Sequence, residues 1–346
     1  MTYYLVYASL LLCGLLSSGR PSNRVALYHL CLVGLFFFVG FRYKVGCDWD
    51  GYLNIFNTTR RHTLEMSLQT GEPAFDAVNV FLHYYELEYP YINVIASAGF
   101  FLGLNALARR QPDRLGVLIL AFPVLILNLA MSGIRQGIAV GIMCFAYNAF
   151  VDRRPVRYVL LVVFAAQFHH SALTFLALAP FAWGAVSRAK IVLAGLLALP
   201  GAYFLLSGGT FDHYLKEYAG QSAVVAAGAP FRSAFLALPG AIFLLFLARK
   251  WREQSIKDYL LVRLSSYMMM AMLPLSFFWS VIGDRFGYYL YPIQLVILAR
   301  LPLLVTGRYS TTAAFAPYAA EALLLVTWVE FSALYPRCYE PYSVWW

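Results

Sequence analysis

Apolar residues run along the chain in blocks of helical length, at about 3–18, 25–41, 90–107, 115–130, 134–151, 191–206, 231–248, 259–280, 286–305 and 312–331. A helix needs roughly 20 apolar residues to cross a hydrocarbon core of ~30 Å, so these blocks predict about ten transmembrane helices. Another apolar stretch, 158–186, is broken at its centre by Gln167-Phe168-His169-His170-Ser171. The longest polar stretch runs from Arg42 to Tyr89. It is too long for an ordinary connection, which makes it a functional candidate. Its second half, Pro73 to Tyr85, carries Phe75, Val78, Val80, Phe81 and Leu82 at spacings that suit a helix lying on a membrane surface. A second polar loop, 207–232, holds Asp212, His213, Lys216 and Glu217. No internal repeat or low-complexity segment breaks the pattern, and one membrane domain is the simplest division.

Composition agrees with the pattern. Hydrophobic residues make up 61% of the 346 and charged residues only 12%, about half the charge of a soluble domain. The solvent for so much apolar surface is lipid. A net charge of +9 raises nucleic acid as a partner, but the basic residues fall in short clusters between apolar runs rather than along one face, so they read as topology signals instead. The start Met1-Thr2-Tyr3-Tyr4 lacks a basic segment, so a cleaved secretory signal is not expected.

Those clusters alternate, and the positive-inside rule places the rich ones in the cytoplasm. They are Arg20/Arg24, Arg109/Arg110/Arg114, Arg153/Arg154/Arg157, Arg188/Lys190, Arg249/Lys250/Arg252/Lys257/Arg263 and Arg300/Arg308, seventeen of the 26 basic residues. Both termini then lie outside. Residues 158–186 have basic clusters on both flanks, and parity puts both flanks inside. The stretch should therefore enter and leave on one side, as a re-entrant helical hairpin or two short tilted spans with His169 and His170 near the turn. About 12 residues rise roughly 18 Å, enough to pass mid-bilayer. The plainer alternative is one ordinary span that violates the charge rule.

Ionisable residues near bilayer depth are costly and mark function by default. Here they gather at what parity makes the outer ends of helices: Arg42 to Asp50, Ser132 to Gln136, Gln167 to Ser171, and Asp284-Arg285 between the eighth and ninth spans. Four such segments facing one aqueous side suit a shared cavity. Arg135 falls in the first turn of a helix, where free N–H groups already favour an anion, and its planar fork matches phosphate oxygens. Arg285 and Arg42 are further candidates for a phosphate or pyrophosphate site. The competing reading for Arg135 is an interfacial arginine pairing with a lipid headgroup or with Asp284, and Asp284 itself suits a helix cap. His169 has a near-neutral pKa fit for proton transfer to or from a sugar hydroxyl or a leaving group; a histidine satisfied by a backbone carbonyl is the plain alternative for one of the pair. Asp48 and Asp50 flank Trp49 and suit sugar hydroxyls, with the indole against the ring; Asp48 is also a possible general base. Gln136 and Tyr288 complete the sugar-binding candidates. An exposed loop without chemistry is the alternative for that segment.

Five cysteines show no metal-binding spacing, so no structural metal is expected. Cys13, Cys31 and Cys144 fall in apolar runs. Cys47 and Cys338 both fall on the oxidising side, where a disulfide is open to them, although nothing in the sequence brings their segments together.

These motifs carry a resemblance. Phe41-Arg42-Tyr43-Lys44-Val45-Gly46-Cys47-Asp48-Trp49-Asp50-Gly51-Tyr52 resembles the outer-loop segment of the EpsG family, polysaccharide polymerases of the Wzy type. Gly133-Ile134-Arg135-Gln136-Gly137-Ile138-Ala139 looks like that family's "iRQgiA" motif, Ala165 to Leu173 its histidine segment, and Asp284 to Tyr289 its entry to a late helix. The matches come in the family's order and span most of the chain. His169 occupies the family's histidine position, while His170 stands where a lysine is usual; Cys47 replaces a hydroxyl residue and Trp49 a tyrosine. The resemblance implies an all-α, GT-C-like polytopic glycosyltransferase of the bacterial inner membrane, needing no metal or other cofactor. It would act at the periplasmic face on undecaprenyl-pyrophosphate-linked oligosaccharide, both donor and acceptor, with membrane lipid and a chain-length regulator as partners and no role for nucleic acid. A flippase of the same lipid-linked glycan and a membrane O-acyltransferase are the other readings. The first would normally show paired repeats, and the second has no need of outward arginines.

Overall fold

A computed structural model of the chain describes residues 1–17, 19, 21–207 and 228–345, with side chains described at all of these except Pro21 and 202–207. Arg20 and the loop residues Asp212, His213, Lys216 and Glu217 lie outside the described residues. The protein is all-α. Its helices are α1 (Thr2–Leu16), α2 (Pro21–Gly40), α3 (Trp49–Thr58), α4 (Leu64–Ser67), α5 (Pro73–Tyr84), α6 (Pro90–Ala108), α7 (Arg114–Ala121), α8 (Ile134–Val151), α9 (Pro155–Ala166), α10 (Arg188–Ser207), α11 (Ala229–Gln254), α12 (Ile256–Phe278), α13 (Ser280–Leu304), α14 (Ser310–Phe331) and α15 (Leu334–Cys338). Every apolar block expected to span is helical. Among the described residues seven helices, ending with the turn-plus-helix Gly307–Phe331, are long and apolar enough to cross a membrane.

Local chemistry sets the boundaries. Pro73, Pro90 and Pro155 open α5, α6 and α9 at a position where the missing N–H costs nothing. Asp113 caps α7 by accepting from the Gly116 N–H at 2.9 Å. Beyond Ala121 the helix widens into a π-helical run, Phe122–Ala130. Pro123 offers no N–H there, and the Asn128 side chain returns to the Pro123 carbonyl at 3.1 Å, so the loosened turn keeps its polar groups satisfied.

The described chain forms two compact units: residues 1–141 with 299–346, and residues 142–298. In the first, α6 and α8 meet backbone to backbone. A Cβ on Gly103 would fall 1.9 Å from the Gly141 carbonyl oxygen, and one on Gly141 would fall 2.6 Å from that of Gly99. Small residues at this spacing let membrane helices approach closely without a hydrophobic drive, and here they fix the helix that begins beside Arg135. At the opposite end of this unit Arg24 grips Asp113 through Nε and Nη2, at 2.9 and 2.6 Å, and Arg300 donates to Gln111 at 2.9 Å.

The chain's last segment straps the first unit. Tyr339 sits within an aromatic cluster of Tyr3, Trp328 and Tyr335, and its hydroxyl reaches the Leu127 carbonyl at 3.0 Å. Backbone bonds join Tyr43 to Ser343 and Trp345 to Phe41 at 2.9 and 2.8 Å. Cys338 is disulfide-bonded to Cys47, with Cα atoms 4.7 Å apart. The pairing that the sequence left open is thus made, because the C-terminal segment folds back along the end of α2.

In the second unit the interrupted stretch is a helical hairpin. α9 ends at Ala166, a turn follows in which the N–H groups of Phe168 and His169 both bond the Ala165 carbonyl, and a 3₁₀ arm runs over His170–Trp183. The Tyr158 hydroxyl donates to the Phe175 carbonyl at 2.7 Å, tying arm to arm. The arms differ in rise, about 18 Å for 12 α-helical residues and about 28 Å for 14 residues of 3₁₀ helix. The expectation for Asp284 and Arg285 needs correction. α13 begins at Ser280, with Trp279 alone between it and the end of α12 at Phe278, so both lie inside α13 rather than between spans, and Asp284 is no helix cap.

Candidate functional site

Arg135 is the second residue of α8, following the turn Met131–Gly133 that closes the π-helical run. Its guanidinium forms an ion pair with Glu72 through Nη1 and Oε2. The side chain also hydrogen-bonds Tyr52, and its Cζ lies 5.4 Å from the Tyr52 ring centroid and 5.8 Å from that of Phe75. Arginine over aromatic faces is held by charge–quadrupole attraction that strengthens as water is excluded. About a third of the Arg135 side chain remains exposed. Its Nε is buried without a hydrogen-bond partner.

The long polar stretch 42–89 builds this notch. α3 supplies Tyr52 and the start of α5 supplies Phe75, with Glu72 immediately before Pro73. Burial pushes the Tyr52 hydroxyl up from its ordinary pKa, with Arg135 opposing the rise and Asp48 adding to it. Asp48 is exposed, and its carbonyl accepts the Tyr52 N–H at 3.0 Å. Asp50 is exposed in the first turn of α3. Trp49 is buried, edge-on to Tyr43 and Tyr89 with centroids 5.6 and 4.9 Å away. Gln136, next to Arg135, is buried.

The loop from Arg42 to Asp50 is joined to the Arg135 turn through Gly46. Gly46 has φ +109°, and a Cβ there would lie 2.0 Å from the Met131 carbonyl oxygen. Both the left-handed backbone and the close approach require glycine. The Gly46 N–H donates to the Cys338 carbonyl at 2.7 Å, and Cys47 carries the disulfide. Arg42 anchors the same loop. It is fully buried and donates to the carbonyls of Val45 and Val39 and to Asn93 Oδ1 at 3.0, 2.6 and 2.9 Å. Burial pulls its pKa down to about 10, against smaller opposing effects of nearby tyrosines. It stays charged at neutral pH, and three charge-assisted bonds offset its desolvation. In this structure, therefore, the donors of Arg42 serve the loop.

The second unit holds the other candidates. His169 is buried at the hairpin tip in extended backbone, φ −154° and ψ 107°, and opens the 3₁₀ arm; its ring centroid is 5.3 Å from that of His170. Ser171 Oγ and Tyr289 Oη lie 3.1 Å apart and tie the tip to α13. Asp284 is taken by Arg232 in a two-point contact, Nε to Oδ1 at 2.6 Å and Nη2 to Oδ2 at 2.8 Å. Arg285 follows it on α13, and Tyr288 is buried one turn on, its ring 6.1 Å from that of Tyr291.

The family model of the EpsG family matches residues 25–344. The chain belongs to the EpsG family. That membership carries a polysaccharide-polymerase type of function for this EpsG-family membrane protein. No curated protein and no solved structure matches the chain.

Sequence reasoning missed Glu72, Tyr52 and Phe75 as neighbours of Arg135, Asn93 as the partner of Arg42, and Arg232 as the partner of Asp284. The available signal was faint. A carboxylate directly before a helix-opening proline, in an overlong polar stretch, was the one local mark on Glu72.

Proposed function

We propose that this EpsG-family protein is a Wzy-type polymerase at the periplasmic face of a bacterial inner membrane, with both chain ends on that face. It transfers a growing glycan from undecaprenyl pyrophosphate to a hydroxyl of a new lipid-linked oligosaccharide repeat, without a metal. The bond between the anomeric carbon and the pyrophosphate oxygen breaks, its electron pair leaving with the lipid pyrophosphate, and the acceptor oxygen bonds the anomeric carbon as its proton is lost. The observation that carries this reading is Arg135, a partly exposed side chain in the first turn of a helix, its guanidinium set against two adjoining aromatic rings and left with an unpartnered Nε. Its charge and the helix N-terminus together favour the pyrophosphate as it departs, an electrostatic effect worth roughly 3–4 kcal/mol per well-placed donor.

Exposed Asp48 and Asp50, on the loop pinned to the same turn, supply acceptors for sugar hydroxyls. In the second unit His169 is the candidate to take the acceptor proton, and Arg285 is a further candidate for phosphate. A chain-length regulator is the expected protein partner. The disulfide supports the assignment of the Cys47 end to an oxidising compartment.

Arg135→Ala tests the proposal in cells expressing the variant at wild-type level. The expected product is a single capped repeat with no long polymer, a loss of about 10²–10³ in elongation rate. Polymer of normal length would refute the assignment. Elongation of lipid-linked repeats by purified protein in detergent, with no gradient, separates a polymerase from a flippase.

A further inference from the structure

Among the described residues Arg24, Arg232 and Arg135 each form a part-buried ion pair with a carboxylate, and they do not pair alike. Arg24 and Arg232 each close the Nε–Nη2 edge of the fork on both oxygens of an aspartate. Arg135 is held by Glu72 through Nη1 alone, and its Nε is buried with no partner. A buried unsatisfied donor costs about 1–3 kcal/mol, more when charged. Two-point contacts lock a guanidinium in plane, whereas one contact leaves it free to turn about that point. The rings of Tyr52 and Phe75 confine the turn, and the hydrogen bond to Tyr52 adds a neutral hold that is weaker than a second carboxylate contact.

Resting on the pyrophosphate reading above, we propose that Glu72 is the positioning residue of Arg135, a one-point pivot that keeps the guanidinium in its aromatic notch and lets its Nε edge swing onto a phosphate oxygen. Glu72 is suited to this in three ways. It is buried, so it is weakly screened. It directly precedes Pro73, whose fixed φ limits the backbone at the start of α5. Its carboxylate oxygen accepts from Nη1, a hold that leaves the Nε edge unoccupied. A purely structural ion pair would call for the closed geometry that Arg24 and Arg232 adopt.

The test uses the purified full-length protein and lipid-linked repeats extracted from cells that lack it, with kcat and KM for the donor measured in Glu72→Ala, Glu72→Gln, Arg135→Ala and the double variant. Glu72→Ala should raise KM about 10-fold and lower kcat about 10-fold. Glu72→Gln, whose amide oxygen still accepts from Nη1, should recover to within about 3-fold of wild type. The double variant should be no worse than Arg135→Ala by more than about 3-fold, since residues that act as a unit are not additive. Should Glu72→Ala fail to fold, Glu72→Gln with the Arg135→Ala/Glu72→Gln double carries the same cycle. Wild-type kinetics in Glu72→Ala, no recovery in Glu72→Gln, or losses that add fully to those of Arg135→Ala would each overturn the pivot while leaving the pyrophosphate site standing. Full activity in Arg135→Ala alone would sink that site and the pivot with it.

Discussion

Arg135 with Glu72 in the first unit and Arg232 with Asp284 in the second are the same two functional groups put to different uses. Arg232 spends its Nε–Nη2 edge on one carboxylate at 2.6 and 2.8 Å, with both side chains more than four-fifths buried. Such a pair, taken out of water, is costly to break from one side and adds little if replaced whole. Arg135 is a third exposed, makes a single contact to its carboxylate and leaves a donor unmet. The difference teaches that an arginine's partner matters less than how much of the fork the partner occupies. A closed fork belongs to the scaffold; an incomplete one belongs to whatever ligand arrives.

Loss of Arg135 is the largest expected effect, and it should fall on polymer length rather than on folding. Loss of Arg232 should do the reverse. Arg232→Ala strands Asp284 in a poorly solvated site and should cost about 3 kcal/mol of stability, read as a lowered melting temperature in detergent. Arg232→Ala with Asp284→Ala should regain at least half of that loss, because no unpaired charge remains. If Arg232→Ala instead removed polymer while melting normally, the contrast between closed and open forks would collapse.

Much of this was legible in the sequence, for reasons that are physical. Each apolar block became a helix because lipid leaves the backbone no partner but itself. The hairpin was legible because basic clusters on both flanks of 158–186 cannot both be cytoplasmic if the stretch crosses once. Arg135 was legible from its place in the first turn of a helix. What stayed hidden was long-range or conformational. The C-terminal strap joins Cys338 to Cys47 across 291 residues, and no local pattern reports such a pairing. The 3₁₀ character of His170–Trp183 and the π-helical turns of Phe122–Ala130 depend on packing that composition does not encode. Glu72 and Arg232 went unread because an ion pair is chosen by the fold, and the sequence offered each arginine several carboxylates.

The strap gives the next prediction in size. Cys47→Ser, or reduction of the disulfide, releases the loop that seats Gly46 against the Met131 carbonyl. Closing so long a loop stabilises by about 2–4 kcal/mol, and that loss should appear in thermal unfolding under reducing conditions. Cys338→Ser should match Cys47→Ser, and the double variant should be no worse than either, because the two cysteines are one bond. The backbone pairs of Tyr43 with Ser343 and of Phe41 with Trp345 remain, so the loop should loosen without detaching. Elongation should fall by only a few-fold, about 3-fold if the released loop occupies its seated position a third of the time. A loss as deep as that of Arg135→Ala would mean that the loop itself, rather than the arginine it supports, touches the reacting atoms.

The smallest expected effects belong to the rings around Arg135, and they bear most directly on how an incomplete fork is held. Tyr52→Phe keeps the aromatic face 5.4 Å from Cζ and removes only the hydroxyl; Phe75→Leu keeps the bulk near the 5.8 Å contact and removes the face. A cation–π contact of an arginine that keeps a third of its side chain exposed is worth about 0.5–1 kcal/mol, so Phe75→Leu should cost roughly 2- to 5-fold in kcat/KM. If the guanidinium must turn to reach phosphate, the Tyr52 hydroxyl opposes the turn by accepting from it. Tyr52→Phe should then leave kcat unchanged or raise it about 2-fold while weakening donor binding slightly. If the notch is a rigid seat instead, both substitutions should lower kcat together. The sign of the Tyr52→Phe change in kcat therefore separates a pivot from a socket, by a measurement that needs no loss of fold and no loss of charge.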